Sequence, residues 1–109
     1  MRIYIATPIN ARKGKDMREK ITAAKHRIDL LKDILSNDEQ FKDHELISTF
    51  DVPHLDRGNE TLILGNCVTA VLNCDAIYLD HGWQTSKGCN LEYRAAKIYG
   101  KMIFEHDKL

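Results

Sequence analysis

The chain has 109 residues, 43% of them hydrophobic, with 16 basic and 16 acidic side chains and no formal net charge. That length suits one domain spanning residues 1–109, and the apolar fraction can build a core, which excludes a disordered chain. The charge balance excludes a bulk field that would draw a nucleic-acid polymer or an anionic membrane surface.

No apolar run approaches the ~20 residues of a membrane span, and the opening "MRIYIATPIN" lacks signal-peptide organisation, so a cytoplasmic protein is expected. Cys67, Cys74 and Cys89 are odd in number and lack CxxC spacing. They read as reduced thiols, small and buried, rather than a disulfide scaffold.

In chain order, "RIYIATP" is a short apolar run closed by a proline, and it predicts a buried strand over Arg2–Ala6. The polar loop "INARKGK" follows. Asp16 is placed as an N-cap, and Met17, Ile21, Ala24, Ile28, Leu31 and Leu35 recur at spacings of three and four. This pattern predicts an amphipathic helix ending near Ser36. "ELIST" reads as a second strand, Glu45–Thr49, and the turn-rich "DVPHLDRGN" leads into a second helix over Glu60–Asn73. Its buried side is read as Leu64, Val68, Val71 and Leu72. "AIYLD" is a third strand, Ser86 or Thr85 caps a third helix running to Tyr99 with Gly100 as its C-cap, and "KMIFEH" is a fourth strand.

Strands alternating with helices predict a parallel sheet covered on both faces. With right-handed crossovers the expected fold is α/β, a trimmed flavodoxin-like three-layer sandwich with strand order 2-1-3-4. Three helices cover little of such a sheet, so a homo-oligomer is expected. An acidic pair after the first strand, as a phosphoacceptor receiver would need, is missing from "ATPIN", and no GxGxxG follows that strand.

Ligands of open α/β sheets sit beyond the carboxyl ends of the strands, where the strand order reverses. That places a site between Ala6-Thr7-Pro8-Ile9 and Asp80-His81-Gly82-Trp83, beside the start of the third helix. Gly88 permits close backbone approach there, Ser86 offers a cap and a hydroxyl, and Lys87 suits an anion. Glu92 lies one turn deeper on the side of Gly88, on a face that Leu91, Ala95 and Ile98 mark as packing on the sheet. A carboxylate on a buried face needs a partner, and Tyr4 of the first strand is the candidate. Trp83 reads as a stacking platform, a lid or ordinary packing. His81, His54 and His106 show no HxxxH or HxH spacing, so neither a metal nor another cofactor is expected.

"YIATPI", "NCDAIYL" and "GWQTSKGCNLEYRAA" together resemble the nucleoside 2-deoxyribosyltransferase superfamily, most closely a small branch with a YIAGP-like first strand and a GWxxSxGxxxE segment. The resemblance implies Glu92 as the nucleophile that attacks the anomeric carbon and Tyr4 as the residue orienting it. It implies substrate contacts from Thr7, Pro8, Asp80, Trp83, Ser86, Lys87 and Gly88. A serine at position 86 matches members acting on nucleoside 5′-monophosphates, with Arg12, Lys13 and Lys15 as possible assistants. Two positions depart from the pattern. Asn66 and Cys67 stand where a ribose-contacting aspartate is expected, and Thr7 replaces a glycine; Asp80 is a conceivable substitute for the missing acid. The implied partner is a small nucleoside or nucleotide. The expected activity is N-glycosidic cleavage or (deoxy)ribosyl transfer, the alternative being a binding or sensing module that has lost the chemistry.

Overall fold

The computed structural model describes residues 1–9, 16–51 and 60–109. The elements run β1 (Arg2–Ala6), α1 (Met17–Ser36), β2 (Glu45–Ser48), α2 (Glu60–Leu72), β3 (Ala76–Leu79), α3 (Lys87–Ile98) and β4 (Met102–Glu105), with single 3-10 turns at Thr49–Asp51, Trp83–Thr85 and His106–Lys108. The four strands form one sheet of order β2-β1-β3-β4, and all three pairings are parallel. This is the expected α/β arrangement. The expected roles of the Met17 and Leu64 side chains, of Arg12, Lys13 and Lys15, and of His54 fall outside the described residues.

Local chemistry sets the boundaries. Asp16 is extended and accepts a hydrogen bond from Glu19 N at 3.0 Å, which starts α1. Ser86 does the same for α3, accepting from Cys89 N at 3.2 Å. Gly100, at φ +70°, lets the chain leave α3 for β4 in a conformation that a side chain would strain. The Asp75 carboxylate accepts from Arg2 N at 2.8 Å and so fixes the start of β1.

The alternation of each strand divides the core in two. Ile3 and Ile5 of β1, with Ala76 and Tyr78 of β3, face α1 and meet Ile28, Leu31 and Leu35. Phe41 seals that layer with edge-to-face contacts to Tyr78 and Phe104, at centroid distances of 6.0 and 5.0 Å. Tyr4 and Ala6, with Ile77 and Leu79, face the other way, towards Val71, Cys89 and Ala96 of α2 and α3. The three-layer order is therefore α1, sheet, then α2 with α3.

One expectation is corrected. Leu91 and Ile98 do not mark the packing face of α3, for they are 43% and 78% exposed; the residues set into the sheet are Cys89, Glu92 and Ala96. Small side chains let the helix backbone approach the strands, and the larger aliphatic ones are left on the outside. The strand ends also fall short of expectation, because Thr49 and His106 join 3-10 turns and Asp80 leaves β3.

Candidate functional site

Tyr4 and Glu92 converge from opposite layers. β1 turns Tyr4 towards α3, and α3 turns Glu92 back towards the sheet, one turn inside its capped N-terminus. Tyr4 is wholly buried, and its hydroxyl has no hydrogen-bond partner among the described residues. Glu92 is only 6% exposed. Burial pushes its carboxyl up to about 7, although the neighbouring Tyr4 hydroxyl acts in the other direction. Tyr4 is raised well above the usual phenol range, first by burial and then by the charges of Glu92 and Cys67. A buried phenol with unspent donor capacity thus lies beside a carboxyl poised to change charge near neutral pH.

Cys67 of α2 completes this cluster. It is 5% exposed, its thiol is raised by burial, and both Glu92 and Tyr4 act on it. Thr49, just past β2, brings its Oγ1 to 3.0 Å from the Cys67 Sγ. Thr49 was not singled out in the sequence. Its signal is the strand alternation, which puts residue 49 on the same side as Ile47, the register partner of Tyr4.

The other expected site residues divide into three groups. Thr7 and Asp80 lie at the carboxyl ends of β1 and β3, but their side chains serve the α1 layer. Asp80 is wholly buried, accepts from Thr7 Oγ1 at 2.5 Å, and receives the Arg27 guanidinium on both oxygens at 2.7–3.2 Å. The His81 amide adds a bond at 2.7 Å. Burial alone would raise this carboxyl; Arg27, Thr7 and the amide bring it down to about 2. The network continues through His106, whose Nε2 is 3.4 Å from Arg27 and whose Nδ1 is 2.6 Å from the Tyr78 hydroxyl. The Asp80 carboxylate is thus committed to Arg27 and Thr7 on the sheet face opposite Glu92.

Pro8 and Gly82 bring the two strand-end loops together. Gly82 has φ +82°, and a Cβ there would lie 3.8 Å from Pro8 Cγ, so the turn into α3 needs glycine for its backbone rather than for space. Trp83 packs on Tyr93, with centroids 4.8 Å apart, and lies against the Tyr4 side of the core. His81 pairs with Asp107 at 2.9 Å.

Ser86, Lys87 and Gly88 begin α3. The Ser86 hydroxyl is engaged with Cys89 N. Gly88 is four residues before Glu92 and shares its side of the helix. Lys87 does not: it lines an open groove of about 380 Å³ with Ser86, Asn90, Leu91 and Arg94 on the outer face of α3. Five residues of helix rotate Lys87 by about 140° from Glu92.

The fold and this pair define a parallel α/β protein with a titratable carboxyl–phenol couple at the switch point of its sheet. Within that class, residues 1–105 match the model of the DUF4406 family, a domain of unknown function, and the chain belongs to that family. No curated protein and no solved structure matches the chain.

Proposed function

We propose that the protein cleaves or transfers the N-glycosidic bond of a nucleoside or nucleoside 5′-monophosphate, with Glu92 as nucleophile and Tyr4 as its orienting partner. One observation carries this reading: a buried carboxyl beside a buried phenol whose hydroxyl has no hydrogen-bond partner among the described residues. Such a pair costs stability in a merely structural core, where each polar group needs a partner. In the ionised form, Glu92 stabilises positive charge developing on the sugar and forms an ester to its anomeric carbon. The carbon–nitrogen bond breaks, and the base leaves with the electron pair and takes up a proton. Water or a second base then attacks the same carbon and frees Glu92. The resemblance of "YIATPI" and "GWQTSKGCNLEYRAA" to the deoxyribosyltransferases supports the same assignment.

Self-association belongs to this proposal, supported by the exposed Leu91, Ile98, Tyr99 and Met102 on α3 and the adjoining β4 edge.

A second reading is a nucleotide-binding module without turnover. Cys67 favours it, since a neutral thiol occupies the place beside Glu92 where the resemblance implies a carboxylate. Base release from a panel of nucleosides and 5′-monophosphates, followed by chromatography, separates the two. The proposal expects release by the wild type and loss of turnover in Glu92→Gln with ligand binding kept. No release from any substrate, while the same ligands raise the melting temperature, would establish the binding module instead.

A further inference from the structure

His106 sits between two side chains that fix which of its nitrogens carries a proton. Its Nδ1 is 2.6 Å from the Tyr78 hydroxyl, its Nε2 is 3.4 Å from Arg27 Nη2, and its ring meets the Tyr78 ring edge-on at a centroid distance of 6.0 Å. We infer that His106 is a pH-sensitive latch, which docks the turn His106–Lys108 onto β3 and α1 while its ring is neutral and releases it when the ring is protonated. The latch lies on the sheet face opposite Tyr4 and Glu92, and it works whether or not Glu92 is a nucleophile.

Donor counting sets the neutral state. A guanidinium only donates, so Nε2 must keep its lone pair to accept from Arg27. The single proton of a neutral imidazole then lies on Nδ1 and is donated to the Tyr78 hydroxyl oxygen. Arg27 cannot turn away to suit the ring, because it is held by both oxygens of the buried Asp80 carboxylate at 2.7–3.2 Å. A proton on Nε2 removes the lone pair and aims an N–H at a donor that is fixed and positively charged. One hydrogen bond is lost, and two like charges face each other across 3.4 Å. The protonated ring has to leave, and it carries the turn with it.

The charges around the ring do not cancel that repulsion. α1 contributes Arg27, and β3 contributes Tyr78 and leads into Asp80, which is already engaged by Arg27, Thr7 and the His81 amide. Asp38, in the turn after α1, acts on Tyr78. On the side of the latch itself, Glu105 pairs with Lys108 and Asp107 pairs with His81. The His81–Asp107 pair is exposed, and a proton on His81 strengthens it, so it remains as a loose tether when His106 lets go. The two histidine contacts of this turn thus answer acid with opposite signs. Release uncovers the Arg27 side chain, which is 24% exposed with the latch closed, and opens the clamp between α1 and the strand ends to solvent.

The test is nitrogen-15 NMR on the full chain. At about pH 8, long-range proton–nitrogen spectra should show a proton on Nδ1 of His106 and a bare Nε2. On lowering the pH to about 5, backbone order parameters across His106–Lys108 should fall from about 0.85 to below about 0.6, while those of the four strands hold. His106→Gln keeps one acceptor and one donor without a titrating ring, and should keep the turn ordered at both pH values. His81→Asn should leave the wild-type transition in place. A proton on Nε2 at about pH 8 would overturn the latch from the wild type alone, whether or not any variant folds. An unchanged turn at the two pH values would do the same, as would an equal loss in His106→Gln or a transition abolished by His81→Asn. A loss shared by the strands would be global acid unfolding, and would equally rule out a latch.

Discussion

Glu92 is expected to make the protein less stable as pH rises. Its carboxyl ionises at about 4.5 in an unfolded chain and at about 7 when buried, so the native state holds the extra proton between those values. Stability therefore falls across that window, by about 3 kcal/mol in all, since each pH unit between the two values is worth about 1.4 kcal/mol. Glu92→Gln removes the loss. Urea denaturation should find the variant more stable than the wild type at pH 8 by up to that amount, with a smaller gap at pH 4. A gap that does not change with pH would show that the carboxyl is not held protonated. The same titration fixes the activity window: turnover that needs the carboxylate should rise with pH through about 7. Asp80 has the opposite sign. Its carboxyl is held near 2, so its contribution is present above about pH 4 and is lost as pH falls through 2.

Among the elements, α1 is tied to the sheet by a polar clamp as well as by its apolar stripe. Arg27 reaches the buried Asp80 at the end of β3 with two nitrogens. Removing it leaves a buried charge uncompensated, and Arg27→Ala should cost about 3–5 kcal/mol in urea denaturation. Adding Asp80→Asn should recover part of that loss. If Arg27→Ala alone is neutral, the clamp is ornamental. The sequence showed α1 almost to the residue, because Asp16 and the repeat through Leu35 are both local signals. It also named Tyr4 as the neighbour of Glu92, from the need of a buried carboxylate for a hydroxyl on the adjacent strand, and the two do lie close enough to act on each other. It misread α3, whose packing face is made of Cys89, Glu92 and Ala96 while the strongest hydrophobes, Leu91 and Ile98, stay in solvent. It did not show Arg27 with Asp80, or Thr49 with Cys67, because those partners are 53 and 18 residues apart and meet only once the sheet is assembled.

For the whole molecule, four of the exposed large hydrophobes, Leu91, Ile98, Tyr99 and Met102, lie on or next to α3 and the start of β4, while Leu30 and Ile34 are exposed on α1. Ile98 is 78% exposed, Tyr99 67% and Met102 52%. Exposed hydrophobes scattered singly are ordinary, so their number alone does not establish a contact surface. On the proposed self-association, sedimentation velocity should show a species of at least twice the chain mass, and Ile98→Lys should shift it towards the single chain with little effect on the core. A wild type that sediments as one chain at high concentration would remove self-association from the proposal. Among the described residues, no helix is long and apolar enough to cross a membrane.

β1 serves two layers by turns. Tyr4 points to Glu92, and three residues later Thr7 points to Asp80, on the other side of the sheet. With a side-chain period of two, adding one residue before Tyr4, with the start of the strand held at Arg2, would send Tyr4 into the α1 layer and Thr7 into the α3 layer. The carboxyl–phenol couple and the Arg27 clamp would fail together. A single-codon insertion between Arg2 and Tyr4 is thus a more damaging change than any one substitution named above, and β1 is the segment whose length this fold can least afford to vary.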